Sequence, residues 1–241
     1  MRKGFTLLFS FVLLVTIESC NDKNISGKNI AATSVNTTVS GKEFVANLDR
    51  LGYFKYANTK DINSLKKDMA ESYNPDATLT SIWDDQTGTP KDYRLYLCDG
   101  ETLFELGGFE QMLSELQPTF KKIGLKIDIT NHVEDWDDKN KWLNHSVDIN
   151  GRHYTILKDF VGTGWGEAAQ TFADILNHEL SLQSKEDRIY LISGGNEGEI
   201  VFLNPAQFKY IDSVYTNNQW KPLEVNDWCK AMDVKPQKYS F

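Results

Sequence analysis

DRIYLISGGNEGEIVFL, residues 187–203, carries the clearest folding signal in the chain. Two apolar runs, Ile189 to Ile192 and Ile200 to Leu203, flank a turn of Gly194, Gly195, Asn196, Glu197 and Gly198. Branched and aromatic residues on both sides of clustered glycines predict strand, turn and strand. Residues 93–106, YRLYLCDGETLFEL, read as an echo of it. Arg94-Leu95-Tyr96-Leu97 matches Arg188-Ile189-Tyr190-Leu191, and each is followed by a turn and a second apolar run holding Phe104 or Phe202. Two hairpins are therefore expected at the centre of the fold.

Outward from these hairpins the pattern alternates between helical and extended periods. Phe44, Val45, Leu48 and Leu51 share a helical face that stops at Gly52. Ile62, Leu65, Met69 and Tyr73 mark a second helix, between Asp61 and Asn74-Pro75. Leu79 to Trp83 is a strand candidate and 84–91 a loop. Phe109, Met112, Leu113, Leu116 and Phe120 form a stripe that Pro118 bends or ends. Leu125 to Ile129 alternates as a half-buried strand does, and His132 to Lys141 reads as an acidic irregular segment. His145 to Ile149 and Tyr154 to Leu157 flank Asn150-Gly151, a strong hairpin signal because both positions accept positive φ. Ala168, Phe172, Ile175, Leu176 and Leu180 line a long helix. Asn204-Pro205 reads as N-cap and first helical residue, and Val225, Trp228, Cys229 and Met232 as a last short helix.

Hairpins outnumber strand–helix–strand crossovers. The expected fold is α+β, a mainly antiparallel sheet built from hairpins with helices packed on one face. Residues 41–241 are expected to form a single globular domain. Each echoed hairpin precedes an amphipathic helix, which suggests two related halves, 41–134 and 143–241. Chance recurrence of similar hairpins is the alternative.

The N-terminus is read separately. Arg2-Lys3 precedes an apolar run from Phe5 to Ile17. That run is too short for a hydrocarbon core, which needs roughly 20 residues. It predicts a signal peptide over 1–19. Ile17-Glu18-Ser19-Cys20 resembles the lipobox of bacterial lipoproteins. Ile17 and Ser19 fit that pattern, and Glu18 stands where a small residue is usual. The resemblance covers the first 20 residues and implies that Cys20 becomes a lipidated N-terminus bearing palmitate-like acyl chains. Each buried methylene would contribute about 0.8 kcal/mol to anchoring. Residues 20–40 are polar and aperiodic, as a flexible tether is. The location this implies is the bacterial cell envelope, at the outer membrane or cell surface rather than the inner membrane.

The formal net charge is −8, and loss of Arg2, Lys3 and Glu18 with the signal takes it to −9. That disfavours nucleic acid and anionic lipid surfaces, which need concentrated Lys and Arg. An exported protein can hold a disulfide, so Cys98 and Cys229 are a candidate pair, with two buried free thiols the alternative.

Catalytic signals are weak. His178-Glu179 lacks the second histidine that a zinc helix needs, because position 182 is Leu182. His145 and His153 lie on the two arms of one predicted hairpin, but exposed polar side chains account for them more simply. Residues 134–142, EDWDDKNKW, fail the calcium-loop pattern, which needs glycine at its sixth position. Trp136 and Trp142 there are candidate stacking residues for a sugar or peptide. Trp165, in a glycine-rich loop before the long helix, and Asn196 with Glu197, at the hairpin tip, complete the candidate binding set. The tip is expected near Trp165. No catalytic residue, metal ligand or cofactor is assigned. The expected role is a non-catalytic binding module whose partner is a protein, peptide or glycan. The alternative is an envelope hydrolase acting on glycan or peptide through paired carboxylates such as Asp99 and Glu101.

Overall fold

Local capping and covered sheet faces explain most of the architecture, which is α+β with antiparallel sheets and helices packed on them. The computed structural model describes residues 39–237; the predicted signal peptide, Cys20 and nearly all of the predicted tether lie outside the described residues. In chain order the elements are α1 (Gly41–Arg50), a 3-10 turn at Tyr53–Tyr56, α2 (Ile62–Ser72), β1 (Trp83–Asp84), β2 (Thr89–Pro90), β3 (Leu95–Leu97), α3 (Gly100–Phe104), α4 (Gly108–Glu115) and α5 (Gln117–Ile123). Then follow β4 (Ile129–Asp137), β5 (Trp142–Ile149), β6 (Arg152–Phe160), α6 (Trp165–Leu182), β7 (Arg188–Ile192), β8 (Glu199–Leu203), α7 (Pro205–Val214) and α8 (Val225–Ala231).

The 187–203 hairpin forms as predicted. β7 and β8 pair antiparallel, and β3 adds to the far side of β8 to give the order β3-β8-β7. Both faces of this sheet are covered. Tyr96, Ile189, Leu191, Ile200 and Phe202 point into one core, with residues of α4, α5 and α6. Leu95, Tyr190, Ile192, Val201 and Leu203 point into another, with α1, α2 and Ile211 of α7. That corrects the expectation of helices on one face. It also explains why the strands are apolar runs rather than alternating ones.

The echo does not form a second hairpin. β3 is followed by helix α3, because the Asp99 carboxylate accepts hydrogen bonds from the backbone N–H groups of Glu101 and Thr102. Register separates the matched residues as well. Tyr190 and Leu95 lie opposite Val201 on one face, so Tyr96 points to the other. The two matched stretches therefore share neither the hairpin nor the facing of their tyrosines.

The second sheet has the order β4-β5-β6. Asn150 and Gly151 both have positive φ, 52° and 76°, and make its predicted tight turn. The Asn150 amide also donates to the Glu179 carboxylate of α6, which Arg152 and Tyr154 bond from the sheet. Helix α6 contacts both β6 and β7 and is buried on nearly every side. Three boundaries differ from expectation. Residues 79–82 are irregular, and a two-residue pair, β1 with β2, frames the 84–89 turn. Residues 125–128 are irregular too. The segment from His132 onward, expected to be irregular, is most of strand β4.

Candidate metal centre

β4 is an edge strand with a bulge between Thr130 and Val133, where Asn131 takes a φ of 53°. Beyond the bulge, Glu134 lies opposite His145 and Trp136 opposite Leu143. His145 has the same parity on β5 as the buried Val147 and Ile149, so this is the inward face. The sheet therefore turns His132, Glu134 and His145 inward.

Their donor atoms converge. His132 Nε2 lies 2.7 Å from His145 Nε2. Glu134 Oε1 lies 3.6 Å from the first nitrogen and 3.4 Å from the second. A tetrahedral zinc ion with Zn–N distances near 2.0 Å spaces its ligand atoms by about 3.3 Å. The triangle matches that spacing once the two rings part slightly.

Surrounding groups orient each ligand. The Gly107 backbone N–H donates to Glu134 Oε2 at 2.8 Å, which leaves Oε1 facing the histidines. Glu110 Oε1 lies 3.3 Å from His132 Nδ1. A carboxylate on the outer nitrogen favours the tautomer whose Nε2 carries the lone pair. The Phe109 ring packs against both imidazoles. His145 is buried, and burial, followed by the neighbouring His132, pushes its pKa down to about 4. It is neutral at ordinary pH, the state a metal requires.

The residues singled out from sequence are dispersed. Trp136 stands next to Glu134 on the inward face and is 51% exposed. Trp142 pairs with Asp137, one residue out of phase, so the two indoles face opposite sides and form no joint platform. Trp165 opens α6 and its backbone packs on Gly100. Asn196 and Glu197 are exposed in a 3-10 turn whose neighbour Gly198 packs on Cys98. Both places flank the start of α3. Cys98 and Cys229 are buried free thiols rather than a disulfide. Burial, aided by nearby carboxylates, pushes their pKa values to about 12 and about 11. His153 does not pair with His145; it faces Asp148 Oδ1 at 2.7 Å. His178 packs against the Tyr154 ring. Asp99, one of the carboxylates considered for acid–base work, caps α3.

From sequence, His145 is matched with His153 across the hairpin and no metal ligand is assigned; the structure brings it to His132 instead. The usable signal was His132-x-Glu134, two donors on one face of a strand, with a third on the next strand. No family model, curated protein or solved structure matches the chain.

Proposed function

We propose that this chain is a lipid-anchored bacterial envelope protein whose domain binds a divalent transition-metal ion through His132, Glu134 and His145. The observation that carries the metal reading is the set of three ligand atoms, from two adjacent strands, all within 4.8 Å of one another. Two imidazoles and one carboxylate suit zinc and its neighbours better than calcium or magnesium, which favour oxygen. The anchor reading rests on the lipobox-like Ile17-Glu18-Ser19-Cys20. The expected role remains binding. If the protein is instead the envelope hydrolase, His132, Glu134 and His145 would hold an ion that could supply Lewis acidity beside the carboxylates.

The test is zinc titration of the detergent-solubilised protein by calorimetry. One equivalent is expected to bind, and His145→Ala or Glu134→Ala to weaken it by more than about a hundredfold. Unchanged binding in either variant refutes the site. Cys20→Ser is expected to move the protein from the membrane fraction to the soluble one; retention would refute the anchor.

A further inference from the structure

We infer that the metal position is completed from outside, by a monoanionic donor carried on an aromatic or apolar body that rests on Trp136. This inference depends on the metal reading above.

The protein offers three donors, and the zinc ions of catalytic and ligand-exchanging sites keep a fourth position open beside three protein ligands. Phe109, itself fully buried, closes the core side of the two imidazoles. Along the inward face of the sheet the site continues toward the strand end. The next rung beyond Glu134 and His145 is Trp136 with Leu143, about 7 Å along the strand. Leu143 pairs in turn with Phe160, whose ring meets that of Phe104 edge-on at 6.0 Å. Leu106 and Val161, next to this group in the chain, are 87% and 68% exposed. Trp136, Leu143 and Phe160 thus continue in register from the ligand triangle, with the indole half-exposed.

Charge selects the head group. A divalent ion with two neutral imidazoles and one carboxylate carries a net charge of +1, which favours one anionic donor. Glu110, 3.3 Å from His132 Nδ1, already adds a carboxylate beside the triangle and disfavours a second negative charge on the body. The chemical class is therefore an aromatic or apolar monoanion, such as a carboxylate at the end of an apolar peptide.

The test uses the solubilised full chain loaded with Co²⁺, whose visible absorption reports coordination, and two probes, benzohydroxamate and acetohydroxamate. Both are expected to shift the Co²⁺ bands. Trp136→Ala is expected to cut the preference for benzohydroxamate about five- to tenfold and to leave acetohydroxamate binding unchanged. Bands that neither probe moves show a site filled by the protein and overturn the inference while leaving the metal reading standing. A preference unchanged in Trp136→Ala overturns the contact with Trp136. Absence of Co²⁺ bands in the unmodified protein overturns the metal reading and this inference with it.

Discussion

Arg94 and Asp187 form an ion pair at 3.1 Å between the residues that precede β3 and β7, the two outer strands of the central sheet. Both are buried. The Arg94 guanidinium also donates to the carbonyls of Phe202 and Tyr53, and the Tyr56 hydroxyl donates to Asp187 Oδ2 at 2.6 Å. One cluster therefore ties β3, β7, β8 and the 3-10 turn after α1. Removing one partner strands a buried charge, which costs about 3–5 kcal/mol. Asp187→Ala is expected to lose that much in urea unfolding. Arg94→Met with Asp187→Ala is expected to lose less than the two single losses added.

Support of the proposed metal site by Glu110 is separable from the fold. Glu110 is half-exposed and touches His132 on the side away from the other ligands. Glu110→Gln is expected to weaken zinc binding about tenfold, as loss of an orienting carboxylate does elsewhere, with no change in the unfolding midpoint of the metal-free protein. An equal loss in both measurements would mark Glu110 as merely structural.

Acid should act through Glu179 and Asp187. Burial alone would raise both carboxyls. Hydrogen bonds from Arg152, Tyr154 and Asn150 outweigh it at Glu179, and Tyr56 with Arg94 outweighs it at Asp187, so both are held below the ordinary carboxylate value. A lowered folded pKa gives stability that is present above the unfolded value and lost as pH falls through the folded one. In chelator, the urea midpoint is expected to drop as pH falls below the ordinary carboxylate range of about 4. Glu179→Gln is expected to be less stable at pH 7 and to show a shallower drop. Glu199 and Asp174 are raised by burial and act in the opposite sense, so the comparison with Glu179→Gln isolates one group.

Two adjacent glycines should differ in cost. Gly107 has a φ of 79° with open space around it, so Gly107→Ala carries only the left-handed penalty of about 1–2 kcal/mol. A Cβ on Gly108 would lie 1.6 Å from the Thr102 carbonyl oxygen. Backbone cannot rotate away as a side chain can, so Gly108→Ala is expected to cost about 3 kcal/mol or more. Thermal unfolding of the two variants decides the order.

Cys98 and Cys229 are expected to resist thiol reagents in the native protein and to react on unfolding, since burial keeps both protonated. A mass two hydrogens lower without reductant would show a disulfide instead.

Legibility from sequence followed the physics of each segment. The 187–203 hairpin, the Asn150-Gly151 turn and the Asn204-Pro205 helix start were readable because glycine, asparagine and proline encode their local geometry. Phe104 was misread because Asp99-Gly100 suits a turn and a helix cap equally well, and only tertiary packing chooses. β4 was hidden by its own composition. Its inward positions are His132, Glu134 and Trp136 instead of aliphatic residues, so the alternation that marks a strand was missing there. The pairing of His132 with His145 needed the register of two strands, which no spacing rule supplies.

The Asn150-Gly151 turn also sets a clock. An asparagine followed by glycine is the pair whose backbone nitrogen most readily attacks the side-chain amide, because glycine offers no hindrance. In this fold the Asn150 Nδ2 is held at 2.7 Å from Glu179 Oε2 and 2.9 Å from the Lys126 carbonyl, which slows that attack. Once it happens, ammonia leaves, water opens the cyclic imide, and a carboxylate stands where the donor was, so the contacts to Glu179 and the Lys126 carbonyl turn repulsive. The residue pair that makes the hairpin easy to form is thus also the one whose ageing would weaken a tie between the second sheet and α6.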